Sequence, residues 1–116
     1  MSVSMYYNPK CSKCRAALTL LQEAGIEPVL ISYLEIAPSA ADLEDMLKKL
    51  CKGPKEIIRF NEEIAKKLGI SPNDERADSE WLKIISANPA LLERPIVIIG
   101  DKAAIGRPPE LILDIL

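Results

Sequence analysis

The chain holds 116 residues, enough for one domain with a sizeable core and too few for two. Hydrophobic residues make up 48% and charged ones 28%, which excludes a disordered segment, and 15 Lys plus Arg against 17 Asp plus Glu give a net charge of -2, which argues against a general nucleic-acid or anionic-membrane surface. Histidine is absent, so Ser-His-Asp and Cys-His catalysis, histidine metal ligation and histidine pH sensing are excluded together.

In chain order, Val3, Met5 and Tyr7 alternate with Ser4 and Tyr6 before Asn8-Pro9 stops the run, a short strand followed by a turn. From Ser12 the period becomes helical, with Cys14, Ala17, Leu18 and Leu21 on one stripe and Gly25 placed at the C-terminal end. Val29 to Leu34 is a second strand, apolar on both faces and therefore expected at the centre of a sheet. Ser39 with Asp42 forms a capping-box start for a helix with Leu43, Met46, Leu47 and Leu50 inward, stopped by Gly53-Pro54. A further helical stretch is expected from Lys55 to Leu68, with a break near Asn61, and another from Asp78 to Ile85 with Trp81, Leu82 and Ile85 inward. Pro95 opens the strand Ile96 to Ile99, Gly100-Asp101 turns the chain, Lys102 to Ile105 returns as an edge strand, and Pro108-Pro109 opens a last helix, Glu110 to Leu116. That helix is short and ends on an apolar residue, a pattern shared by a complete and a truncated element. The order βαβ, helices, ββα is that of an α/β, thioredoxin/glutaredoxin-like mixed sheet. It is read as one domain over residues 1–116, with a helical insertion at about 39–88 between the two halves.

Chemistry concentrates where the first strand meets the first helix. Cys11 lies at the helix N-terminus, where free N–H groups and the helix dipole favour an anion, and Lys10, Lys13 and Arg15 are close in sequence. Such surroundings pull a thiol below about 8.5 and make it nucleophilic. A buried structural cysteine is the plainer alternative, against which the polar, basic turn argues. Cys14 completes a Cys-x-x-Cys and stands one turn on, either as a thiol that closes a disulfide with Cys11 or as a small hydrophobe on the apolar stripe. Half a zinc ribbon is the third reading, but no second cysteine pair exists. Cys51, at a helix end, is taken as incidental. Arg59, Arg94 and Arg107 each sit beside apolar or rigid neighbours; singly they read as solvated, together as paired donors for an oxyanion.

The stretch Asn8-Pro9-Lys10-Cys11-Ser12-Lys13-Cys14-Arg15, with Tyr33-Leu34-Glu35, Arg94-Pro95-Ile96-Val97 and Gly106-Arg107-Pro108-Pro109-Glu110, resembles the glutaredoxin-coupled arsenate reductase family, in its order and spacing and over essentially the whole chain. The resemblance implies a thioredoxin-like fold, Cys11 as the catalytic cysteine, Arg59, Arg94 and Arg107 as anion-handling residues, and arsenate reduced to arsenite through a Cys11 adduct. It implies glutathione as co-substrate and glutaredoxin as partner. Members of the family carry a histidine where this chain has Tyr7 and usually a non-thiol residue at Cys14, so an internal Cys11 to Cys14 disulfide is a second way to resolve the adduct. The chain also resembles, more distantly, the Spx-type redox regulators of bacterial RNA polymerase, in which the cysteine pair would be a switch; a thiol-disulfide oxidoreductase with another substrate is a further reading. In each case the expectation is a cytoplasmic monomer with no bound cofactor or metal, no direct nucleic-acid contact and no membrane contact.

Overall fold

The computed structural model describes residues 2–116, and the chain divides into two compact units, one of residues up to Tyr33 together with Arg94–Leu116, the other Leu34–Glu93. The first unit is built on a four-stranded mixed sheet. Its strands are β1 (Val3–Tyr6), β2 (Val29–Ile31), β3 (Ile96–Ile99) and β4 (Lys102–Ile105), in the order β2-β1-β3-β4. β1 runs parallel to β2, with Met5 opposite Leu30, and antiparallel to β3, with Met5 opposite Val97. β3 and β4 form the hairpin expected around Gly100, whose positive φ of 60° a side chain would strain. Helix α1 (Ser12–Glu23) supplies Ala17 and Leu21 to a core that also holds Met5, Val97, Ile99 and Ile112. This is the thioredoxin/glutaredoxin-like sheet with helical sequence inserted between its halves.

Two expectations for this unit are corrected. β2 is three residues long and lies at the sheet edge, with Val29 66% and Leu30 43% exposed, instead of being a covered central strand. An apolar run without alternation cannot distinguish an edge from a centre, because it carries no record of which side has a neighbour. The last element, Pro109–Ile115, is a 3₁₀ helix, closed by bonds such as Leu111 N–H to the Pro108 carbonyl at 3.1 Å. Seven residues opened by two prolines are too few to repay α-helix nucleation.

The second unit is mainly helical. α2 (Ala40–Leu50) begins with the expected reciprocal cap: Ser39 Oγ accepts from Asp42 N–H, and Asp42 Oδ2 accepts from Ser39 N–H, each at 3.1 Å. Leu43, Met46, Leu47 and Leu50 are all buried. The helix ends at Cys51, which takes the left-handed conformation (φ 58°) while Lys52 N–H reaches back to the Leu47 carbonyl at 3.2 Å. The expected helix from Lys55 to Leu68 is replaced by a 3₁₀ turn at Pro54–Ile57, an extended stretch, and α3 (Glu63–Leu68). The extended part pairs with the end of the insert. Ile58 bridges Leu92, Arg59 N–H donates to the Leu91 carbonyl at 2.7 Å, and Glu93 N–H donates to that of Ile57 at 2.8 Å. These partners lie over thirty residues away and leave no local trace in the sequence. α4 (Asp78–Ala87) buries Trp81, Leu82 and Ile85 as expected, with Phe60 edge-on to Trp81 at 5.9 Å between ring centres.

Candidate active site

The loop before α1 is tied down on both sides before any charge is considered. Asn8 Oδ1 accepts from Lys10 N–H and the Asn8 carbonyl from Cys11 N–H, both at 3.0 Å, and Arg15 Nη1 donates to the Pro9 carbonyl at 2.8 Å. Cys11 is thereby fixed as the N-cap of α1 with an extended backbone, and the residue is partly exposed. Burial opposes charge on that sulfur. The N–H of Cys14, the Arg94 side chain, the Cys14 thiol and the N–H of Lys13 outweigh it and bring the thiol down from 9.0 to about 7.

The source of the positive charge is therefore not the one expected from neighbours in sequence. Arg15 is turned to a backbone carbonyl, and the lysine that contributes, Lys13, does so through its amide. The cation at the sulfur is Arg94, which arrives from the far side of the insertion and shortly precedes β3. Arg107 joins it, with Nη2 4.0 Å from Cys11 Sγ and Nε donating to the Arg94 carbonyl at 2.7 Å. Gly106 sets this approach. Its N–H donates to the Pro95 carbonyl at 2.9 Å, and a Cβ there would stand 2.8 Å from Pro95 Cγ. Arg94-Pro95 and Arg107-Pro108 are both cis peptides.

Cys14 is fully buried, and burial with the neighbouring Cys11 charge pushes its thiol up to about 11. Cys51, in the helical unit, is exposed and its Sγ donates to the Lys48 carbonyl at 3.7 Å. Arg59 also belongs to that unit, where Nε donates to Glu62 Oε1 at 3.0 Å and Nη1 to Glu93 Oε1 at 3.1 Å. So Cys11, Cys14, Arg94 and Arg107 are gathered within the sheet unit, and Arg59 is engaged by two carboxylates of its own unit. Among the described residues no cluster of His, Cys, Asp or Glu could hold a metal.

One residue that composition and periodicity do not single out belongs to this group. Tyr33, in the turn just beyond β2, is fully buried with its hydroxyl lacking a hydrogen-bond partner, and burial raises its proton affinity against the pull of the Arg94 charge. Its signal in sequence is its place in the Tyr33-Leu34-Glu35 stretch of the resemblance; within the apolar run Val29 to Leu34 it is otherwise inconspicuous. The assembled chemistry is a thiol brought to about 7, so partly ionised at neutral pH, beside backbone amides and two guanidinium groups, which suits attack on the centre of a small oxyanion.

A model of the ArsC family matches residues 6–115. The chain is similar to a protein named arsenate reductase from Haemophilus influenzae, 45% identical over 117 positions covering 100% of each chain. It is also similar to the uncharacterized protein YfgD of Escherichia coli strain K12, 42% identical over 98% of this chain and 96% of the other. Among solved structures, one described as arsenate reductase from Vibrio cholerae superposes with a TM-score of 0.94 at 40% identity, covering 100% of this chain and 98% of that one.

Proposed function

Since the chain belongs to the ArsC family, we propose that it reduces arsenate to arsenite with Cys11 as the nucleophile and Arg94 and Arg107 as the groups that hold the oxyanion. The observation that carries this reading is a sulfur brought to about 7 while facing two guanidinium groups. At neutral pH about half of such a thiol is ionised, so the nucleophile and the anion-binding charge coexist without a histidine.

In the first step the Cys11 thiolate attacks arsenic, an S–As bond forms, and one As–O bond breaks with loss of hydroxide, which takes up a proton as water. In the second, a thiolate attacks the Cys11 sulfur. The S–As bond breaks with its electron pair kept by arsenic, arsenite leaves, and Cys11 remains in a disulfide. Two thiols are oxidised and arsenic gains two electrons. We assign the second thiol to glutathione and the reduction of the mixed disulfide to glutaredoxin. The burial and high proton affinity of Cys14 support this over an internal disulfide, because few Cys14 thiolates exist at pH 7. Arg59 is assigned to the same anion through the resemblance, and its two carboxylate partners would have to yield it. The protein is taken to act as a cytoplasmic monomer without a resident cofactor.

The deciding measurement is arsenate-dependent NADPH oxidation with glutathione, glutaredoxin and glutathione reductase. Wild type should turn over, Cys11→Ser should lose activity entirely, and Cys14→Ser should keep most of it. A Cys14→Ser variant as inactive as Cys11→Ser would move the resolving role to Cys14. If wild type itself is inactive, the reductase reading fails. Oxidation-dependent binding to the carboxy-terminal domain of the RNA polymerase α chain would then establish the switch reading.

A further inference from the structure

Arg59 is caught between two carboxylates, and the backbone of the helical unit puts them there. Ile58 bridges Leu92 in an antiparallel pairing, where Arg59 N–H donates to the Leu91 carbonyl at 2.7 Å and Glu93 N–H to that of Ile57 at 2.8 Å. Arg59 and Glu93 are thus carried on facing segments. Glu62 follows by a turn, its N–H donating to the Arg59 carbonyl at 3.1 Å. In this frame Arg59 Nε donates to Glu62 Oε1 at 3.0 Å and Nη1 to Glu93 Oε1 at 3.1 Å. The side chains of Arg59, Glu62 and Glu93 are 23%, 32% and 22% exposed, so solvent weakens these pairs without abolishing them.

A guanidinium grips an oxyanion at two points through one of two edges, Nε with Nη2 or Nη1 with Nη2. Here each edge has one nitrogen already given to a carboxylate. One carboxylate alone would balance the charge of Arg59, so a contact serving stability does not call for the second. We propose that Glu62 and Glu93 are positioning residues that set the affinity for the oxyanion: they compete with it for Arg59, so that arsenate gains the two-point contact only by displacing one of them. The inference rests on the reading of the protein as an arsenate reductase with Arg59 among its anion-handling residues. It also fixes the direction of the effect. A displaced carboxylate loses its hydrogen bond and leaves its negative charge near the incoming anion, and both weaken binding.

The test is calorimetric titration of arsenate into Cys11→Ser protein, which lacks the nucleophile, alone and combined with Glu62→Gln, Glu93→Gln, Arg59→Gln, or Arg59→Gln and Glu93→Gln together. Glutamine keeps the length and one acceptor oxygen of glutamate and removes its charge. Glu62→Gln and Glu93→Gln should each bind arsenate about three- to tenfold more tightly, the scale of a partly exposed charge pair. In the Arg59→Gln background, Glu93→Gln should change the affinity by less than about twofold, because the competition has lost its object. The arsenate KM of the active protein should fall by the same factor in Glu62→Gln and Glu93→Gln, which decides the matter where Cys11→Ser binds too weakly for calorimetry. Unchanged or weaker binding, with or without a lower urea midpoint, makes the trio a structural clamp and overturns the proposal. So does an equal gain with and without Arg59, which would be plain repulsion of the anion. Absence of both turnover by wild type and binding by Cys11→Ser instead rejects the reductase reading, so the two failures are distinguishable.

Discussion

Cys11 is a cysteine whose acidity is set by two amides, one thiol and one distant guanidinium, and the sign of its pH dependence follows. Its value in the folded chain, about 7, lies below the ordinary 9.0, so thiolate chemistry should rise with pH through a midpoint near 7 and level off above it. By linkage, the stabilisation that accompanies this anion is present above about pH 9 and is lost as the pH falls through about 7. Denaturant melts of wild type and Cys11→Ser should therefore differ most at pH 9 and converge at pH 5.5; curves separated by a constant amount would contradict the assignment. At this scale the nucleophile is legible in the sequence, because a strand, a turn and a helix start put one sulfur on unpaired amides whatever the rest of the fold does. Its cation is not. Lys10, Lys13 and Arg15 are near in sequence, but Arg94 comes from across the insertion, and only tertiary structure brings it to the sulfur.

The elements are legible where their determinants are local. The Ser39–Asp42 cap and the stripe of Leu43, Met46, Leu47 and Leu50 lie within a dozen residues, and α2 forms as they dictate. Ser39→Ala removes the oxygen that accepts from Asp42 N–H and should cost about 1 kcal/mol, measured as a lower urea midpoint at unchanged slope. A loss below a few tenths would show that the backbone end of the box suffices without the hydroxyl. The segment after Gly53 departs from its helical expectation for the opposite reason. Ile57 to Arg59 has a helix-compatible pattern, yet its backbone groups pair with residues 91 to 93, and long-range pairing overrides local preference. β2 shows the same limit, since what decides edge or centre is the presence of a neighbouring strand.

At the scale of the whole molecule, the chain is two compact units joined by two crossings, after Tyr33 and before Arg94. Its reading as one domain predicts one cooperative transition, and the sequence offers a probe in each unit. Trp81, the single tryptophan, reports on the helical unit, and the accessibility of Cys14 to a thiol reagent reports on the sheet unit. The two melting curves should coincide in urea, and separate midpoints would make the units independent domains. Within the sheet unit, Arg107 Nε is committed to the Arg94 carbonyl and Gly106 N–H to that of Pro95, so the two guanidinium groups are neighbouring links of one closed loop. Neither can be relocated without dragging the other. A kinetic deficit recorded for a variant at either arginine is thus a property of the linked pair, and dividing it into individual shares would assign numbers to parts that never act alone.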